Sequence, residues 1–267
     1  MQDIHRQFQD ANQVTNPESL FEFLDAAAGL ESVQAYQQRM LELCPPRPGQ
    51  RILDLGCGLG HSALRLASLV APTGSVVGID KNAFLIEEAR RRAAGSCLRP
   101  TYQVGDIKQL DFPPDSFDVC RVERVLMYLD NPQLVLDAML RVVGPRGSLV
   151  FFEFDYDTVI VDALDSALTR WLGRLMADSV PSPWVGRQLP RLLRERGVRG
   201  VQIIPHVVTT TYSIFHRVVS GTIERAAQAG QLSADEVETW WRALEDASAA
   251  RQFFAAFPGF IVCGHAA

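Results

Sequence analysis

A chain of 267 residues with 47% hydrophobic and 21% charged residues is long enough for one α/β domain with elaborations, or for two small ones. Its formal net charge of −5 weighs against a nucleic-acid surface, which carries a basic excess. No apolar stretch approaches the ~20 residues of a membrane span.

In chain order, residues 1–16 (MQDIHRQFQDANQV and onward) are polar, and we read them as partly irregular or draped over a site. They contain no apolar h-region, so no signal peptide is expected and the protein is assigned to the cytoplasm. Two helical patterns follow over 17–43, the second ending at Pro45-Pro46, which cannot continue a helix. On that second helix Tyr36 and Arg39 sit three apart, on one face.

Residues 51–60 read RILDLGCGLG. The apolar Ile52, Leu53 and Leu55 break into Gly56, Gly58 and Gly60, and HSALRLASLV continues at helical spacing, which describes a buried strand turning tightly into a helix. Glycines let the backbone approach a ligand with no Cβ in the way, and the helix start offers unpaired N–H groups to an anion. A second apolar strand, VVGID, then ends on Asp80, placed to grip two ribose hydroxyls. An N-cap role is the structural alternative for this aspartate. Position 61 is His, so the third glycine of a dinucleotide site is missing and an adenosine ligand without phosphates is favoured.

Beyond the loop, strands and helices alternate: strand 51–55, helix 60–70, strand 75–80, helix 82–94, strand 100–105, strand 117–122, helix 131–143 and strand 147–155. That rhythm implies a parallel sheet covered on both faces. The second half is less regular. Residues 158–179 read as a helix, PSPWVG (181–186) as a loop, QLPRLLRER as a short helix and VQIIPHVVTTTY as a strand. Ser233 with Glu236 is a capping box that opens a helix to about Ala249, and FPGFIVCG is a last strand. The late strands are separated by 213–254, far beyond a hairpin loop.

The stretches ILDLGCGLG, VVGIDKN, YQVGDIKQLDFPPDSFDVC, RVERVLMYLDNP and LRVVGPRGSLVFFEFD together resemble the class I S-adenosylmethionine-dependent methyltransferases. The branch is that of the ubiquinone/menaquinone-biosynthesis and natural-product small-molecule enzymes. The resemblance covers roughly residues 36–155 and is weak beyond them. It implies an α/β fold with a doubly wound, seven-stranded, mostly parallel sheet (Rossmann-like) bearing helical cap insertions. Residues 1–45 would cover the cofactor site, 46–155 would bind S-adenosylmethionine, and 156–267 would complete the sheet, with substrate caps at about 156–200 and 213–250. The product would be S-adenosylhomocysteine.

By the same resemblance Asp54 orders the glycine loop, which includes Cys57, and holds the ligand's amino group. Asp80 takes the ribose, Lys81 flanks the adenine, Asp106 accepts the adenine amino group and Ile107 packs on the base. Arg121 and Glu123 end the fourth strand beside the methionine end, where a backbone carbonyl holds the amino group. Arg39, beside Tyr36, can pair bidentately with the cofactor carboxylate. The PP of DFPPDSF precedes the fourth strand instead of following it, which disfavours the machinery that methylates nucleobase amines through (D/N)PPY.

No residue stands out as catalytic. Glu123, His206, Tyr212 and His216 are weak candidates, each with a structural reading beside the functional one. Five cysteines without a CxxC pair read as small buried hydrophobes, and no metal site is expected. Arg90, Arg91, Arg92 and the arginines of 187–199 read as solvated helix faces, and the tryptophans mostly as core. The expected partner is a small organic acceptor, methylated on O, N or C, with no nucleic acid and no membrane span; a homodimer is left open. The competing readings are an RNA or protein methyltransferase, and a protein that binds the cofactor without methylating.

Overall fold

In the computed structural model, which describes residues 3–10, 14–163 and 165–267, the apolar run before the glycines is strand β1 (Arg51–Leu55), with its last four residues buried. It lies between β2 (Ser75–Asp80) and β4 (Phe117–Glu123), parallel to both. β3 (Thr101–Val104) and β5 (Val143–Phe154) extend the parallel sheet on either side. Helices α4 (His61–Val70), α5 (Ala83–Ala93) and α6 (Gln133–Val142) connect these strands. The central strands are near-continuous apolar runs because both of their faces are covered.

The far edge reverses direction. β8 (Ala255–His265) runs antiparallel to β5 and to β7 (Arg199–Thr209). The seven expected strands are therefore present, and an eighth is added. β5 leaves the sheet at Asp155, a 3-10 turn (Tyr156–Thr158) intervenes, and the two-residue β6 (Ile160–Val161) rejoins β8 at Ala256 and Ala255. Ala256 also pairs with Thr209 of β7, so β6 lies on the opposite side and prolongs the line of β5. The reversal brings the start of β8 to the end of the sheet where β1, β2 and β4 finish, the ligand end of such folds.

Between β7 and β8 lie α9 (Tyr212–Gln228) and α10 (Ala234–Ala249), the latter opened by the Ser233–Glu236 capping box with both reciprocal bonds formed. β7 stops at Thr209, short of the expected Tyr212, because Thr211 caps α9 and Tyr212 is its first residue. α9 belongs to the core, burying Phe215, Val219 and Ile223 almost completely. α10 packs on α9 and buries Trp240 and Leu244. Of the other segment read as a cap, α7 (Ser166–Ala177) packs on α9 and the 3-10 turn at 156–158, while α8 (Val185–Glu195) covers β5, β7 and β8.

The amino-terminal segment forms α1 (Ile4–Gln9), α2 (Pro17–Ala28) and α3 (Glu31–Leu43). Asp3 caps α1 and Asn16 caps α2, with Pro17 at its first position. α1 docks on α9 at Gly221, where a Cβ would lie 2.7 Å from the Asp3 Cα. Ile4 joins Leu20, Leu59 and Leu85 in a second apolar cluster, which binds this segment to the glycine loop and α5. Among the described residues no helix is long and apolar enough to cross a membrane.

Candidate active site

The three loop glycines all have positive φ (72°, 52° and 79° at Gly56, Gly58 and Gly60), a conformation that side chains resist. Their surroundings differ. A Cβ on Gly56 would overlap the Val125 side chain and one on Gly60 the Tyr102 hydroxyl, whereas a Cβ on Gly58 would meet no atom within 4 Å. The outer glycines thus serve packing, and the middle one opens onto a cavity of about 350 Å³.

Backbone N–H groups of Gly56 and Cys57 donate to the Ile79 carbonyl, at 2.7 and 3.0 Å. Asp80 completes the brace: Oδ2 accepts from Gly58 N–H at 3.0 Å and Oδ1 from Asn82 N–H at 2.9 Å. The helix cap is Asn82, which accepts from Phe84 and Leu85 N–H, so Asp80 is released from that role. The carboxylate lines the cavity, and its two acceptor oxygens suit two adjacent hydroxyls. Burial raises its pKa, opposed by these N–H bonds.

Around the rim, Lys81 Nζ donates to the Gln9 carbonyl at 2.6 Å and so pins the end of α1. Asp106 is exposed and accepts from Lys108 N–H at 2.9 Å, beside the buried Ile107. Cys57 also lines the cavity, and burial pushes its thiol pKa up, so it stays protonated. His61 reaches Asp25 of α2 at 2.7 Å, and Arg92 of α5 joins the same carboxylate. The residue that replaces a third glycine therefore ties the amino-terminal segment down.

Behind the loop lies a buried cluster of two carboxylates and two guanidiniums. Arg121 pairs with Glu123 and, at 3.3 Å, with Asp54 Oδ1. Glu123 also accepts from Tyr36 Oη at 2.5 Å and Gln37 Nε2 at 2.8 Å. Burial works against the charge on Glu123, yet Arg121 and Arg124 hold its pKa below the usual range. Burial raises the Asp54 pKa to about 6, partly offset by Arg121, and Asp54 Oδ2 has no hydrogen-bond partner.

Tyr36 stands behind Glu123, stacked on Phe152 with ring centroids 3.7 Å apart, and does not face the cavity. Arg39 is a correction. Its helix buries Val33, Tyr36 and Met40, and Arg39 lies on the flank, half exposed and paired with Glu42 at 2.9 Å. An arginine that does line the cavity is Arg124, with φ of 58° and Nη2 3.5 Å from Glu123. A left-handed backbone at a non-glycine residue carries no sequence signature, and Gln37 and Ser62 were equally unsignalled.

Three weak catalytic candidates lie elsewhere. His206 Nε2 is 2.9 Å from the Ser32 carbonyl, and its ring meets Tyr36 edge-on; it ties β7 to α3. Tyr212 and His216 pack on Trp241. None of the three lines the cavity. Its apolar end is instead walled by Phe8, Val33, Phe154, Ile214, Val218 and Phe257, with His5, Tyr128 and Tyr156 among them. Of the 156–200 segment only Tyr156, and of 213–250 only Ile214 and Val218, reach it among the described residues.

The orphaned Asp54 oxygen, the open space at Gly58 and the cavity-lining Asp80 and Arg124 fit a ligand that combines an ammonium, a carboxylate and a vicinal diol.

Residues 46–196 match the family model described as a methyltransferase domain. The chain is similar to an uncharacterized 37.1 kDa protein in transposon TN4556 of Streptomyces fradiae, 35% identical over 253 residues, 91% of this chain and 70% of that protein. It is 36% identical over 141 residues to the ubiquinone/menaquinone biosynthesis C-methyltransferase UbiE of Coxiella burnetii, and that match spans 50% of this chain and 56% of the enzyme's length. In fold it is similar to Haemonchus contortus phosphoethanolamine N-methyltransferase 2, solved with S-adenosyl-L-methionine. There the TM-score is 0.61 at 17% identity, covering 97% of this chain and 59% of that one.

Proposed function

The chain belongs to the methyltransferase domain family, and from that membership we propose that it is an S-adenosylmethionine-dependent enzyme acting on a small, largely apolar organic acceptor. The observation that carries this reading is a single cavity joining two chemistries: a polar end built by the glycine loop, Asp54, Asp80 and Arg124, and an apolar end walled by α1, α9 and β8. The likeness to a quinone-biosynthesis methyltransferase supports an acceptor of quinone-type or natural-product biosynthesis, and we place the enzyme in the cytoplasm.

Bound there, S-adenosylmethionine supplies a methyl group made electrophilic by its sulfonium. Asp80 would bind the ribose hydroxyls, Asp106 the adenine amino group with Ile107 against the base, Asp54 Oδ2 the ammonium and Arg124 the carboxylate. Arg121 and Glu123 keep Asp54 and Arg124 in place. The apolar walls exclude water and fix the acceptor, so that much of the rate comes from alignment. A base is needed only for a hydroxyl or acidic C–H acceptor.

Calorimetry on the purified protein should show binding of S-adenosylmethionine and S-adenosylhomocysteine; absence of heat for both would overturn the cofactor reading. In Asp80→Ala the ribose bonds are lost, and S-adenosylhomocysteine affinity should fall about 5- to 150-fold, or ~1–3 kcal/mol. An unchanged dissociation constant would remove Asp80 from the ribose site.

A further inference from the structure

We propose that His5 and Tyr128 form a subsite for an acidic hydroxyl of the acceptor, with His5 taking its proton, which makes the acceptor class a flat, apolar phenol or enol. This rests on the reading of the cavity as the methyl-transfer site.

His5 is almost wholly buried, although it belongs to a helix of only six residues near the start of the chain. α1 carries its ring into the cavity, where Nδ1 lies 3.4 Å from the Tyr128 hydroxyl. The Tyr156 ring meets it edge-on, with centroids 5.4 Å apart. Nε2 is buried without a hydrogen-bond partner, so Nδ1, beside the Tyr128 hydroxyl, is the ring nitrogen that takes part in hydrogen bonding. Phe8, Phe154, Val218 and Phe257 line the cavity beside this pair, so an acceptor hydroxyl entering there finds polar partners in His5 and the two tyrosines. A hydroxyl buried without a partner is costly; one that fills this place is selected over an isostere lacking it.

The other charged groups about the pair are Arg124 and Glu153 behind Tyr128 and Tyr156, and Arg225 of α9, which pairs with Asp3 at the base of α1. Burial holds the imidazole neutral, with a pKa of about 4, so it is available as an acceptor at neutral pH. An oxyanion forming next to it favours the imidazolium. In the transfer, the acceptor O–H proton passes to Nδ1 and the oxygen's electron pair forms the new O–C bond. The C–S bond of the cofactor breaks with its pair left on sulfur, as a neutral thioether. The positive charge lost at sulfur is regained at His5.

The test uses 2-naphthol and naphthalene as probes, titrated by fluorescence into the full-length protein saturated with S-adenosylhomocysteine. Wild type should bind 2-naphthol about tenfold or more tightly than naphthalene, since an unpaired buried polar group costs about 1–3 kcal/mol. In His5→Phe, and in the shape-preserving Tyr128→Phe, the ratio should fall to about two or less while S-adenosylhomocysteine binds as before. A wild-type ratio near one, or a ratio that survives both substitutions, would overturn the proposal. Failure of S-adenosylhomocysteine to bind wild type would instead overturn the cofactor reading, and the two naphthalene probes titrated without it still decide the subsite.

Discussion

Arg121→Leu should lose about 3–5 kcal/mol of folding stability, the usual cost of removing one partner from a buried ion pair. Arg121 is 6% exposed and lies between the buried Asp54 and Glu123, whose side chain is 9% exposed. Without it two carboxylates face each other across the end of β1 and β4, and only Arg124 remains nearby. Urea unfolding at pH 7 measures the loss. The double substitution Arg121→Leu with Glu123→Gln should recover a large part, because it removes a charge that has no partner. A single variant within 1 kcal/mol of wild type would show that the cluster is not held together by this guanidinium.

The second large effect depends on pH. Glu153 is fully buried; Oε1 accepts Val125 and Leu126 N–H at 2.9 and 2.7 Å, and Oε2 has no partner. Burial raises its pKa from 4.5 to about 7. The folded state therefore binds a proton that the unfolded chain releases near 4.5. The stability this confers is complete below that value and lost as pH rises through about 7, a total of ~3 kcal/mol. In Glu153→Gln that slope disappears. The stability of wild type minus that of the variant should fall by ~3 kcal/mol between pH 4 and pH 8. Asp54, also raised, titrates in both proteins and cancels in the difference. A difference that stays flat over this range would mean that Glu153 is ionised in the fold.

The sheet and the glycine loop were legible because their signals are local. Apolar runs, positive-φ glycines and the Ser233–Glu236 box are each specified within a few residues. The core character of α9 was legible too, in the spacing of Phe215, Val218, Val219 and Ile223, but the length of the insertion drew attention to a cap. What escaped was non-local. Whether Arg39 or Arg124 serves the cavity depends on how α3 rotates against the sheet and on a left-handed turn after β4. His5 gains its place only through Gly221 and the 3-10 turn bearing Tyr128, far along the chain. His206, Tyr212 and His216 carried the right chemistry, yet ring packing had already claimed them.

The docking of α1 on α9 also sets an order in time. Six residues cannot hold a helix alone in water, and the groove at Gly221 does not exist until α9 has been made. At about 5–20 residues per second, a ribosome needs roughly 10–40 s to travel from one to the other. During that interval the glycine loop and its aspartates can already form, while the segment bearing His5 waits. The segment bearing His5 therefore takes its place only after the strands that carry the glycine loop, Asp80 and Arg124 have all been synthesised.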